Sequence, residues 1–168
     1  MRIATMVLCG AFLAPVLVNA QSDVFLQAVG FALTGSDNAK VRQINRTNCV
    51  FGITGKNPEV FHLNNVHVDR IVVQSWTRRQ PWGEEKYVTV ELHGDKTVYE
   101  QTTKGIDENS GSPQVREMFK QWNPDFFKPQ HTVSNEQTLT LMTGEADRVT
   151  RAWQYIYSNG CTGQKSPF

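Results

Sequence analysis

Residues 70–102 read RIVVQSWTRRQPWGEEKYVTVELHGDKTVYEQT, and their period of two decides the fold. Arg70–Thr77 and Lys86–His93 are rich in β-branched and aromatic residues and flank a turn segment, Arg78–Glu85, that contains Pro81 and Gly83. Pairing Thr77 with Lys86 sets Ile71, Val73 and Ser75 opposite Leu92, Val90 and Val88. That face is apolar, and a slip of one residue would turn it to solvent, so the register is specified. The other face sets Arg70, Val72, Gln74 and Trp76 against His93, Glu91, Thr89 and Tyr87. Gly94-Asp95 then reads as a two-residue hairpin turn into Lys96–Thr102, which would bring Tyr99 to the face of Val90. A meander of successive antiparallel strands is expected.

Upstream, Glu59–Leu63 reads as a strand ending at Asn64-Asn65. Lys40–Ile53 alternates through Val41, Cys49, Phe51 and Ile53 to Gly55, either as one bent strand or as two short ones around Asn45–Asn48. Before it, Ser22 is placed as the N-cap of a helix carrying Val24, Phe25, Ala28, Val29, Ala32 and Leu33, with Gly35 as the stop. Downstream, Ser112-Pro113 opens a helix whose Val115, Met118, Phe119 and Trp122 share one face, and Asn123-Pro124 ends it. The aromatic stretch Trp122–Pro129 is expected to pack its connection onto the sheet. A strand over Gln137–Met142 and a helix over Gly144–Ser158 follow, the helix with Val149, Ala152, Trp153, Ile156 and Tyr157 on one stripe and Asn159-Gly160 as its cap. The expected class is α+β: an antiparallel sheet of about five strands, with N-terminal, middle and C-terminal helices packed on it.

Residues 1–20 have the parts of a signal peptide: Arg2, an apolar run from Ile3 to Val18, and Val18 and Ala20 ahead of Gln21. Gly10, Pro15 and Asn19 interrupt the run short of the roughly 20 apolar residues a spanning helix needs, so no transmembrane segment is expected after cleavage. Residues 21–168 form one domain, and 168 residues less 20 leaves 148, enough for a single core. Of the three cysteines, Cys9 leaves with the leader. Cys49 and Cys161 then imply one disulfide and a periplasmic or secreted location. The 17 basic residues less Arg2 leave 16 against 16 acidic ones, and so even a balance argues against nucleic acid or an anionic membrane as the partner.

Candidate chemistry is sparse. His62, His67, His93 and His131 with Asp69 and Glu91 could converge only if Asn64-Asn65 breaks a strand, because His62 and His67 are five residues apart. No tight ligand spacing supports a metal, and no phosphate-cradling loop, nucleophile elbow or cofactor motif is present, so neither metal nor cofactor is expected. The best candidate is the hairpin tip, where Trp76, Arg78, Arg79, Trp82, Lys86 and Tyr87 mix rings with cations, a combination that holds sugars, aromatic ligands, acidic peptides or lipid head groups. The competing reading is a charged turn with a Trp76–Tyr87 cross-strand pair.

The strings Asn48-Cys49-Val50-Phe51, Phe61-His62-Leu63-Asn64-Asn65-Val66, Tyr87–Gly94 and Arg151-Ala152-Trp153-Gln154-Tyr155-Ile156-Tyr157 resemble small exported proteins of alphaproteobacteria without an assigned activity. The resemblance implies a bacterial, periplasmic setting and transfers no catalytic residue. The expectation is a module that binds a protein or small ligand. The alternative is a periplasmic hydrolase whose site is on the polar sheet face around His93, Glu91 and Arg70.

Overall fold

The structure is a computed structural model and describes residues 16–166 apart from 56, 106 and 108–110. In chain order the described elements are α1 (Val16–Thr34), β1 (Val41–Asn45), β2 (Val50–Ile53), β3 (Glu59–His62), β4 (Val72–Gln80), β5 (Gly83–His93), β6 (Tyr99–Thr103), α2 (Pro113–Trp122), β7 (Gln130–Ser134), β8 (Glu136–Leu141) and α3 (Ala146–Asn159). The fold is α+β with two antiparallel sheets, a five-stranded one in the order β1-β2-β3-β6-β7 and a three-stranded one in the order β4-β5-β8. Helices α1 and α3 pack on each other, α1 also against β1 and β8, and α3 against β4. One core joins them. It takes Val29, Ala32 and Leu33 from α1, Phe51, Phe61 and Tyr99 from the larger sheet, Val88, Val90, Leu92, Leu139 and Leu141 from the smaller, and Val149, Trp153 and Ile156 from α3.

The β4–β5 register is the expected one, with Thr77 opposite Lys86, Val73 opposite Val90 and Ser75 opposite Val88. The turn is tighter than expected. Pairing continues to Gln80 and Gly83, so only Pro81 and Trp82 remain between the strands. Arg70 ends a short 3-10 turn, Val68–Arg70, outside the ladder.

The meander is corrected. Strand β6 pairs with β3 and β7, and the neighbours of β5 are β4 and β8. Gly94-Asp95 does not reverse the chain. His93 lies opposite Glu136 and Tyr99 opposite Ser134, while the Gly94 amide donates to Asn135 O (2.9 Å) and the Val98 amide to Ser134 O (2.8 Å). One long antiparallel ribbon thus runs through both sheets, and residues 94–98 bulge at the corner where it bends. A side chain at Gly94 would overlap the Asn65 carbonyl and Val98, so the glycine serves close backbone approach. Tyr99 consequently packs on Phe61, with centroids 5.2 Å apart, and not beside Val90.

Lys40–Ile53 resolves into the two short strands β1 and β2, with Cys49 at φ 50° in the turn between them. The disulfide forms: Cys49 and Cys161 have Cα atoms 5.6 Å apart, inside the bonded range. Helix α1 already includes Val16, the first described residue, so Ser22 is within it and is not at its start, and the expected cut after Ala20 falls inside this helix. With Val16–Ala20 helical, the amides near Ser22 have helical carbonyls ahead of them and need no cap. Residues 1–15 of the expected leader, Cys9 among them, lie outside the described residues. Gly35 does end α1, at φ 72°. Gly160 ends α3 in a conformation that is not left-handed; what requires a glycine there is the Phe25 ring, which occupies the space of its side chain.

Helix α2 starts as expected, with Pro113 at its first position and Ser112 Oγ accepting from the Val115 amide. Its apolar face, however, is not buried. Val115, Met118 and Trp122 are exposed, and no residue of α2 is buried. In the following aromatic stretch Phe126 packs locally, edge-on to Phe119 at 6.0 Å, and Trp122 and Phe126 stay exposed, where burial against the sheet was expected. Residues 104–129 are the connection between β6 and β7 at the end of the ribbon, and a ribbon end gives α2 little surface to cover.

Candidate functional site

Strand alternation divides five of the six hairpin residues between two faces, with Trp82 in the turn. Trp76 and Arg78 lie opposite Tyr87 and Glu85 on the outer face, whereas Arg79 and Lys86 share the inner face with Glu84 and Thr77. The Trp76 and Tyr87 rings stack at 4.6 Å with an interplanar angle of 14°, the cross-strand pair expected of aromatics in register. Trp76 Nε1 donates to Thr89 Oγ1 at 2.8 Å, which fixes the indole while leaving it 42% exposed. At the tip Trp82 is 76% exposed.

The organiser of this face is Glu85, which the sequence reading placed in the turn without a role. Its carboxylate accepts from the Tyr87 hydroxyl (2.7 Å), Trp82 Nε1 (3.4 Å) and Gln80 Nε2 (3.5 Å). These bonds, the Tyr87 bond foremost, hold the Glu85 carboxyl below the usual glutamate range, and the same bond pushes the Tyr87 hydroxyl up. Alternation did contain the signal, since Glu85 and Tyr87 are two apart on one strand. On the inner face Arg79 pairs with Glu84 at 3.4 Å.

Beyond Val73 the inner face is open. Ser75, Thr77, Lys86 and Gly144 line a groove of about 260 Å³ that Trp76 and Tyr87, whose rings stack on the outer face, also border. It shares Ser75 and Gly144 with a second groove of about 430 Å³ along the first turns of α3, where Asp147, Arg148 and Arg151 form the wall. Arg148 is engaged elsewhere: it contacts Asp37 and Glu145 and stands 4.0 Å over the Phe31 ring.

Of the four histidines, His62 and His131 meet at Glu100, whereas His67 and His93 stand apart from them. A 3-10 turn at Leu63–Asn65 breaks the strand after His62. His62 then pairs across β3 and β6 with Glu100 (2.6 Å), whose other oxygen is 3.6 Å from His131 Nε2 on β7, and His131 Nδ1 is 3.2 Å from Thr102 Oγ1. Glu100 was not foreseen, because only non-local pairing brings these residues together. His67 is buried, with Nε2 3.2 Å from Asp95 but misaligned for a hydrogen bond. His93 sits between Glu91 (3.8 Å) and Glu136 (3.6 Å) on the outer face of the smaller sheet. Among the described residues no group of three His, Cys, Asp or Glu side chains is arranged to hold a metal ion.

No protein-family model matches the chain, and no curated protein or solved structure is significantly similar to it. Among the described residues no helix is long and apolar enough to cross a membrane.

Proposed function

We propose that the chain is a periplasmic or secreted binding module that holds a protein or small ligand on its β4–β5 hairpin. The observation that carries this reading is the organised exposure of the tip: Glu85 anchors Tyr87 and Trp82 by hydrogen bonds while Trp82 and Trp76 stay accessible. Large exposed rings held in place lose little entropy on binding and favour contact. The disulfide suits an oxidising compartment, as does the resemblance to exported alphaproteobacterial proteins. A hydrolytic reading lacks comparable support, because His93 and Glu91 lie on an open ladder and Arg70 lies outside it.

The test is capture by the immobilised, oxidised domain, residues 21–168, from a periplasmic extract. The native domain retains a component that the Trp82→Ala, Arg79→Ala double variant loses at an unchanged melting temperature. Equal retention by both proteins would place binding elsewhere.

A further inference from the structure

Resting on the hairpin reading, we infer that the partner is an extended acidic peptide segment, added as a further strand to the free edge of β4. Strand β4 is nine residues long and is an edge of its sheet. Among the described residues its backbone bonds within ladders only to β5, and no other backbone hydrogen bond reaches residues 72–80. Such an edge is a template for one more strand, with main-chain bonds supplying affinity and alternate side chains specificity.

The side chains along this edge define the guest. Trp76 stacks on Tyr87 on its β5 side, which leaves its edge-side surface for an apolar or aromatic residue of the added strand. Arg78, two positions on, is exposed and has Glu85 across the ladder. Arg79, 91% exposed although paired with Glu84 at 3.4 Å, is on the opposite face, and Arg151 of α3 shares the inner groove with Ser75. Exposed arginines thus stand on both faces of one edge. A guest with a ring opposite Trp76 and carboxylates near Arg78 and Arg79 matches them, because Arg–carboxylate pairs supply register as well as attraction.

The experiment is selection from a displayed library of nine-residue peptides, matching β4 in length, followed by affinity measurement and amide exchange on the intact oxidised domain. Selected peptides are expected to combine an aromatic residue with acidic residues two or three positions away. Binding slows exchange across residues 72–80, and N-methylating alternate peptide amides weakens it by about tenfold or more. Charge reversal, Arg78→Glu with Arg79→Glu, is expected to turn the selection toward basic peptides and needs no change in fold. Peptides that lose affinity in Trp82→Ala but are indifferent to N-methylation would overturn strand addition and leave the hairpin reading standing. Peptides indifferent to every hairpin substitution would overturn both. Protection of residues 72–80 through self-association without peptide would give the edge to a second copy of the chain and overturn the acidic guest.

Discussion

The hydroxyl of Tyr87 donates to the carboxylate of Glu85 at 2.7 Å, two residues earlier on the same face of β5. The bond lowers the Glu85 pKa and raises that of Tyr87. A carboxyl depressed on folding stabilises the fold above its unfolded value and loses that contribution as pH falls through the folded one. The Glu85 contribution is therefore lost only below the ordinary glutamate range, near about pH 4. For Tyr87 the sign reverses: its contribution is present below the unfolded value near about pH 10 and is lost as pH rises through the folded one. A carboxyl and ring titration by NMR should show both displacements, and Glu85→Gln should bring Tyr87 back toward the ordinary tyrosine value. An unshifted Glu85 in the native protein would contradict the arrangement.

Gly94 is at the corner of the ribbon, where a side chain would overlap the Asn65 carbonyl and Val98. Neither neighbour can yield easily: one is backbone, and the other is a fully buried core residue. Gly94→Ala should destabilise by roughly 1–3 kcal/mol, the range for overpacking. Gly55→Ala is the control, since nothing lies within 4 Å of the added carbon, and its change should stay within about 0.5 kcal/mol. Urea denaturation of both variants measures the difference; equal midpoints would mean the corner relaxes freely.

What was legible follows from how local each determinant is. The β4–β5 register could be read because both strands and their apolar parity lie within one continuous stretch, and the disulfide because only two cysteines follow residue 20. The departure of β6 from the meander was not legible, since the constraint on Gly94 comes from the carbonyl of Asn65, far upstream. Strand β7 was missed because QHTVS follows Pro129 and is almost wholly exposed, so no apolar alternation marks it. At the site, the rings and cations were found and their division between faces was already implicit in parity. Their organiser, Glu85, was missed because it is a charged residue placed in the turn, and the His62–Glu100–His131 cluster because it spans three strands.

Cys49 and Cys161 tie the turn before β2 to the residue after the Gly160 cap of α3, across a separation of 112 residues. Removing the bond frees that loop in the unfolded chain, worth up to roughly 5 kcal/mol in the chain-entropy model. The double variant Cys49→Ala, Cys161→Ala should unfold at markedly lower denaturant than the oxidised native protein. Reduction of the native protein should reproduce most of the loss. Coincident unfolding curves for oxidised and reduced protein would show that the tie constrains little.

Trp122 and Trp153 test which helix belongs to the core. Both sit on apolar helical stripes, so hydrophobic periodicity treats them alike. In the fold Trp153 is 3% exposed, against β4 and the cleft lined by Ile71, Val73 and Tyr157, whereas Trp122 is 76% exposed. Trp153→Ala should cost roughly 3–5 kcal/mol through lost burial and a cavity. Trp122→Ala should change stability by no more than about 0.5 kcal/mol. Trp153→Phe adds a finer distinction, because the buried Trp153 Nε1 has no hydrogen-bond partner among the described residues. Removing that unsatisfied donor offsets part of the lost ring volume, so the phenylalanine variant should be much closer to native than the alanine variant. Denaturation midpoints of the three variants decide it, and a Trp122→Ala loss as large as that of Trp153→Ala would mean α2 packs against the body of the fold after all.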